Sequence, residues 1–103
     1  MRKIEIYLDY PCYPMWIYDE NNELIDNMLA EELQGEEEID RILQEIQMTY
    51  VGLFTNNEVE FSYNGFESEQ DRQAFIDKIE YVVGLIREKV GDKYIVINDA
   101  RVV

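Results

Sequence analysis

The strongest constraint on the fold is a pair of apolar stripes, each repeating at helical spacing with polar residues between its members. The first stripe consists of Ile39, Ile42, Leu43, Ile46, Tyr50, Leu53 and Phe54. The second consists of Phe75, Ile79, Val82, Val83, Ile86 and Val90. Apolar residues at intervals of three and four predict amphipathic helices. Because such helices must bury their apolar sides, both have to pack against a further element.

Local sequence signals predict where the two helices begin and end. Three glutamates follow Gly35 and predict the start of the first helix, because negative charge favours the N-terminal end of a helix dipole. We expect that helix to end before Thr55. Ser68 and Asp71 resemble a capping box at the start of the second helix, and Gly91 is a suitable C-terminal cap.

Five further segments predict β-strands. Residues 3–9 alternate apolar and polar side chains, which is the period-two pattern of a half-buried strand. Residues 15–18 and 23–26 predict two more strands, since a polar turn sequence separates them. Residues 58–63 alternate again, and residues 94–97 are apolar on both sides, as in a central strand.

The predicted order is therefore strand, strand, strand, helix, strand, helix, strand. Two helices on one face of a mixed or antiparallel sheet of about four to five strands would bury both stripes. The sequence thus predicts a two-layer α+β sandwich, formed as a single domain over residues 1–103. If the helices cover the face with Ile4, Ile6 and Leu8, the opposite face carries Glu5, Tyr7, Asp9 and, by the same alternation, Glu58 and Glu60.

The charge balance is strongly acidic. Asp and Glu number 23 and Lys and Arg number 9, which gives a formal net charge of −14. Such a surface repels nucleic acid and anionic membranes and attracts basic proteins. The sequence has no apolar signal core or spanning segment, and Cys12 alone cannot form an intramolecular disulfide. We expect a cytoplasmic protein that binds a basic protein partner, and neither nucleic acid nor membrane.

The acidity is concentrated in one segment. Between Asp19 and Asp40 lie 10 acidic residues, these two included, and no Lys or Arg. A surface that serves solubility alone gains by mixing charge signs, so this segment favours a binding role. Tyr and Trp, which are frequent interface anchors, interleave with acids in the N-terminal half, although the sequence leaves open whether they are core residues. The candidate partner-binding residues are Trp16, Tyr18, Asp19, Glu20, Glu23, Asp26, Glu31, Glu32, Glu36 and Glu37.

The sequence carries no signal for catalysis, cofactors or metals. It contains no histidine, the commonest general base and metal ligand, and its glycines form no phosphate-binding loop. Asp19, Asn21 and Glu23 match the start of a calcium-binding EF-hand loop, but Leu24 replaces the required glycine and Ala30 the required glutamate. We therefore expect no catalytic, cofactor-binding or metal-binding residue, and a protein that is not an enzyme.

With its small size, its lack of histidine and the sequence Trp16-Ile17-Tyr18-Asp19-Glu20 beside a long acidic segment, the chain resembles the small immunity proteins of bacterial toxin–immunity systems. The resemblance implies a cytoplasmic inhibitor that blocks the basic active site of a cognate toxin, often a nuclease. Carboxylates would replace substrate phosphates against Lys and Arg of the toxin, and Trp16 or Tyr18 would be the buried anchor. Opposite charges would also speed association and favour the correct partner.

Two alternatives stay open on the sequence. A DNA mimic of the anti-restriction type would space carboxylates regularly along an extended surface, and the compact acidic segment ranks it below a dedicated inhibitor. The second alternative is an accessory domain whose acidity serves solubility alone. An enzyme built on two carboxylates ranks last, since the chain has no evident cleft-forming insertions.

Overall fold

A computed structural model describes residues 1–102; the predicted domain of residues 1–103 also includes Val103, which lies outside the described residues. The strands are β1 (Arg2–Ile6), β2 (Met15–Tyr18), β3 (Leu24–Asp26), β4 (Phe54–Asn56), β5 (Phe61–Tyr63) and β6 (Tyr94–Asn98). The helices are α1 (Glu37–Val51) and α2 (Glu69–Val90), with 3-10 turns at Glu31–Leu33 and Gly91–Lys93.

The main sheet has four strands in the order β3-β2-β1-β6. β2 pairs antiparallel with β1 and β3, whereas β6 runs parallel to β1. The sheet is therefore mixed, and the first and last strands of the chain are neighbours within it. Both helices pack on one face of this sheet, so the predicted two-layer α+β class is confirmed.

One apolar layer joins the sheet to the helices. β1 contributes Ile4 and Ile6, and β2 contributes Met15, all three fully buried. The helix side of the layer consists of Ile39, Ile42, Leu43, Ile46, Phe75, Ile79, Val82, Val83, Ile86 and Val90. Burying one such side chain contributes about 1.5–3 kcal/mol, so this layer holds both helices on the sheet.

The first helix is shorter than predicted. α1 ends at Val51, because Gly52 has a low helix propensity and the N–H of Leu53 closes a tighter turn on the carbonyl three residues earlier. Phe54 instead begins β4, and its ring stacks on that of Phe61 with centroids 5.4 Å apart. The prediction that the helix continues through Phe54 is wrong, since spacing alone does not separate a helix from the turn that follows it.

The alternating segment at residues 58–63 does not join the main sheet. It is a strand only over Phe61–Tyr63, where it pairs with β4 in a separate two-stranded sheet. Glu58 and Glu60 therefore do not share a sheet face with Glu5, and that prediction is wrong. In this β4–β5 hairpin the rings of Phe61 and Tyr63 contact Phe54, and Phe61 also contacts Tyr10 of the β1–β2 loop.

The last strand is an edge strand, so its prediction as a central strand is wrong. Tyr94 is buried against the helices, whereas Ile95 and Ile97 are exposed on the opposite face. The Arg87 guanidinium donates to the Val96 carbonyl at 3.0 Å and thereby covers part of the free strand edge.

The predicted ends of α2 are confirmed. The backbone N–H of Asp71 donates to the Ser68 hydroxyl at 3.1 Å. Gly91 ends the helix with a φ of 58°, a conformation that glycine adopts without a side-chain clash. Among the helices of residues 1–102, neither is both long enough and apolar enough to span a membrane.

A half-buried hydrogen bond attaches the β1–β2 loop to α1, and we predict its contribution to stability. The Tyr13 hydroxyl donates to Asp40 at 2.8 Å, and burial together with the Asp40 carboxylate raises the pKa of Tyr13. Tyr13→Phe should lower the free energy of unfolding at neutral pH by about 1 kcal/mol.

The difference in unfolding free energy between the wild-type protein and the Tyr13→Phe variant should decrease as the pH rises above about 10. Because the folded-state pKa of Tyr13 is raised, its stabilisation is complete below the ordinary tyrosine pKa of about 10 and is lost as the pH rises toward the folded value. Urea unfolding of both proteins, followed by circular dichroism at about pH 7 and pH 11, measures this. An equal difference at both pH values would contradict the prediction.

Candidate functional site

The sheet face turned away from the helices exposes aromatic and aliphatic side chains, and we call it the open face. Strand register arranges its residues in two rows across the sheet. Tyr7, one residue beyond β1, extends this face, and its ring contacts the Trp16 ring at a centroid distance of 6.4 Å. The first row is Ile95, Lys3, Tyr18 and Leu24, and the second is Ile97, Glu5 and Trp16.

The charges at the centre of the open face neutralise each other. Lys3 Nζ lies 3.6 Å from Glu5 Oε2, and these side chains are only 20% and 17% exposed. Lys3 Nζ also lies 4.3 Å from the centroid of the Tyr18 ring. Burial, followed by the Glu5 carboxylate, raises the pKa of Tyr18. The face therefore presents apolar surface around a satisfied ion pair.

Trp16 and Tyr18, the two aromatic candidates, lie on the open face and not in the core. Both are half-buried, because β2 alternates them with the buried Met15 and Ile17. The Trp16 Nε1–H donates to the Tyr7 carbonyl at 3.1 Å, so its polar atom is satisfied within the fold. Such rings offer contact area with little side-chain entropy to lose.

Most of the acidic candidates come from three segments, each of which contacts a residue near the start of β1 or β6. Lys3 holds the β2–β3 turn by donating to Asn22 at 2.8 Å. Tyr94 Oη donates to Glu32 at 2.6 Å, and Glu36 lies 3.6 Å from an ammonium group in the last turn of α2. We call this surface the acidic end, and its members are Asp19, Glu20, Glu23, Glu31, Glu32, Glu36 and Glu37.

Basic residues from distant parts of the chain neutralise part of the acidic end. Lys89 supplies the ammonium group beside Glu36, the residue that precedes α1. The tyrosine hydrogen bond, and after it the charges of Lys93 and Arg2, lower the pKa of Glu32. The acidic segment itself contains neither Lys nor Arg, so this compensation depends on tertiary contacts that the sequence does not reveal.

The remaining acids differ in what they do for the fold. Asp19 shapes its turn by accepting from the backbone N–H groups of Asn21 and Glu23 at 2.9 and 3.0 Å. Within residues 1–102, four exposed members of the acidic end form no ion pair: Glu20, Glu23, Glu31 and Glu37. These four carboxylates keep their charge available to a partner.

Asp26 lies beside the acidic end, on the β3 edge. It is opposite Ile17 in the register, and with Glu31 it lines a cavity of about 300 Å³ that also contacts Arg2 and Tyr94. A second cavity, of about 740 Å³, lies between the two helices and is lined by other residues. No group of three or more Asp, Glu or Cys side chains in the described part of the chain is arranged to hold a metal ion.

Sequence reasoning missed three aliphatic members of the open face. Leu24, Ile95 and Ile97 are 53%, 50% and 39% exposed, although the last two stand in a segment that predicts a central strand. A short apolar edge strand and a central strand have the same sequence pattern. Only the pairing of β6 with β1 distinguishes them, and no local signal could have found it.

The contact between Glu32 and Tyr94 should stabilise the fold above the titration range of the glutamate. The folded-state pKa of Glu32 is lowered, so its stabilisation is present above the ordinary pKa of about 4.3 and is lost as the pH falls through the folded value. Because Glu32 is exposed, we expect a coupling of only about 0.5–1 kcal/mol.

A double-mutant cycle of Glu32→Gln and Tyr94→Phe measures this coupling by urea unfolding. The coupling energy should be positive at neutral pH and vanish near pH 2. A coupling that persists in acid would mean that the carboxylate charge does not contribute.

Comparison with known proteins identifies the family. No curated protein matches the chain. The family model described as Serratia CdiI immunity protein-like matches residues 2–99, a span that includes β1, β6, the open face and the acidic end. The resemblance to the immunity proteins of bacterial toxin systems is thereby confirmed. The chain belongs to the Serratia CdiI immunity protein-like family.

Proposed function

We propose that this protein is an immunity protein that inhibits a basic cognate toxin by covering the toxin's substrate site. The family match over residues 2–99 supports an immunity role, and a toxin is the partner that such a role requires. The observation that carries the finer proposal is the set of exposed, unpaired carboxylates at the acidic end. Blocking a site by occupation needs no catalytic residue and no cofactor in this chain.

The unpaired carboxylates suit a partner that normally binds phosphates. Enzymes that act on nucleic acids hold the phosphate backbone with Lys and Arg, and carboxylates can occupy the same positions. Glu20, Glu23, Glu31 and Glu37 have no ion pair to break when they meet such a surface. Opposite charge raises association rates about 10–10³-fold, so an inhibitor with this surface would bind a basic toxin quickly.

Trp16 and Tyr18 are the proposed anchors next to these charges. Tyr18 directly precedes Asp19, so the open face and the β2–β3 turn are continuous along the chain. Buried aromatic anchors commonly carry much of the binding energy, while charged neighbours set orientation. The other proposed contacts, Asp19, Asp26, Glu32 and Glu36, add negative charge to this surface while also holding the fold. We expect the complex to form in the cytoplasm.

Reversing the four unpaired charges should slow binding. After affinity capture from cells that carry the gene, the partner is purified, and its association with the protein is followed by stopped flow. The variant with Glu20, Glu23, Glu31 and Glu37 changed to Lys should associate about 10–100-fold more slowly at low salt. Its free energy of unfolding should fall by at most about 1 kcal/mol, since no ion pair is lost and only Glu37 lies in the first turn of an α-helix, where negative charge is favourable.

A matched variant separates local charge from net charge. Glu58, Glu67, Glu80 and Glu88 are also exposed and unpaired within residues 1–102, and changing them to Lys alters the net charge equally. This control should slow association much less. Equal slowing in both variants, or unchanged association in the first, would overturn the proposed role of the acidic end. Capture of many DNA-binding proteins instead of one partner would favour DNA mimicry.

A further inference from the structure

We infer that the open face is a second contact with the same partner and receives an apolar patch flanked by Lys and Arg. This inference rests on the proposed function, because it assigns a further surface to the toxin named there. The contact surface consists of Tyr7, Trp16, Tyr18, Leu24, Ile95 and Ile97. Four of these residues were not partner-binding candidates on the sequence: Tyr7, Leu24, Ile95 and Ile97.

The exposed apolar side chains of the open face lie on both sides of the central ion pair. Leu24 is 53% exposed at one edge of the sheet, and Ile95 and Ile97 are 50% and 39% exposed at the other. Tyr18 lies next to Leu24 in the register and Trp16 follows on the same side of β2, whereas Lys3 and Glu5 of β1 separate these rings from Ile95 and Ile97. Exposed apolar side chains gathered on one face of a small protein mark interaction sites more often than singly scattered ones do.

The ion pair at the centre of the face permits burial under an apolar partner. Lys3 and Glu5 are already mostly buried and lie 3.6 Å apart, and Lys3 also bonds to Asn22. A charge that is buried without its partner is costly, whereas this pair would enter the interface already formed. The face therefore selects a partner by apolar contact on either side of this ion pair.

Charge around the face identifies the occupant as a basic protein instead of a second copy of this chain. Glu20 and Glu23 lie in the turn at one end of the face, and Asp9 follows the far end of β1. Two copies that each carry a formal charge of −14 would bring acidic rims together, which opposes self-association. A partner with Lys and Arg around an apolar patch gains attraction at the rim and burial at the centre.

The single tryptophan makes the open face directly observable. Trp16 is the only tryptophan in the chain, so incorporating 5-fluorotryptophan places one ¹⁹F probe on this face. Adding the purified, unlabelled partner should shift the resonance and reduce its response to exchanging water for D₂O. An unchanged resonance in a complex that demonstrably forms would overturn the inference and remove Trp16 from the proposed anchors, whereas the inhibition assigned to the acidic end would stand. If no basic partner binds the protein at all, that result contradicts the proposed function, and with it the inference that rests on it.

Substitutions that retain the strand test the energetic role of the face. Ile95→Thr together with Ile97→Thr keeps β-branched side chains and removes apolar area. The double variant should dissociate about tenfold faster with little change in association rate. The control is Met48→Thr with Val59→Thr, at side chains that are 74% and 92% exposed away from the main sheet. Thermal unfolding by circular dichroism verifies that both variants fold.

Each outcome of this comparison decides the inference. Faster dissociation confined to the Ile95 and Ile97 variant supports the open face, whereas equal effects in both variants overturn it. Light scattering on the unbound protein should give the monomer mass. A dimer that the Ile95 and Ile97 substitutions dissociate would assign the face to a second copy and overturn the inference.

Discussion

The parallel pairing of β1 with β6 is the interaction on which the rest of the structure depends. It joins strands that lie at opposite ends of the described chain, with residues 7–93 forming the connection between them. Parallel neighbours require a long crossover, and here that crossover contains β2, β3, the hairpin and both helices. The pairing also makes β1 an inner strand, whose Ile4 and Ile6 are fully buried beneath the helices. The core layer and the sheet therefore form together.

The same pairing determines both parts of the proposed interaction surface. It aligns Ile95 with Lys3 and Ile97 with Glu5, so that β6 adds two aliphatic side chains to a face that β1 and β2 alone would leave aromatic and charged. It also sets Tyr94 beside Arg2 in the register, where the tyrosine hydroxyl can reach the 3-10 turn. The apolar patch and the position of the acidic end thus share one structural cause.

What the sequence could predict follows from the range of the interactions involved. The stripe of α2, the stripe of α1 as far as Tyr50, and the caps at Ser68 and Gly91 depend on residues within a few positions of one another, and the structure confirms them. The alternation of Trp16 with buried neighbours is equally local, but its solvent-facing side is fixed only by where the helices pack. Edge and central strands differ in pairing across the whole chain, so the edge position of β6 had no local signal. The same holds for the lysines that reach the acidic end.

The carboxylates of the acidic end can be divided by what each contributes to the folded state. Glu32 and Glu36 have partners within the fold, and their charge is partly offset there. Glu20 and Glu31 gain no ion pair and lie near other negative charges, so in the isolated protein they add repulsion without a compensating ion pair. Glu37 also has no ion pair, and only the N-terminal end of α1 offsets its charge. A solubility role would be met as well by acids interspersed with Lys and Arg, which would avoid this repulsion. Unpaired acids gathered at one end, beside an uncovered apolar face, are better explained by a basic partner that supplies the missing counter-charges.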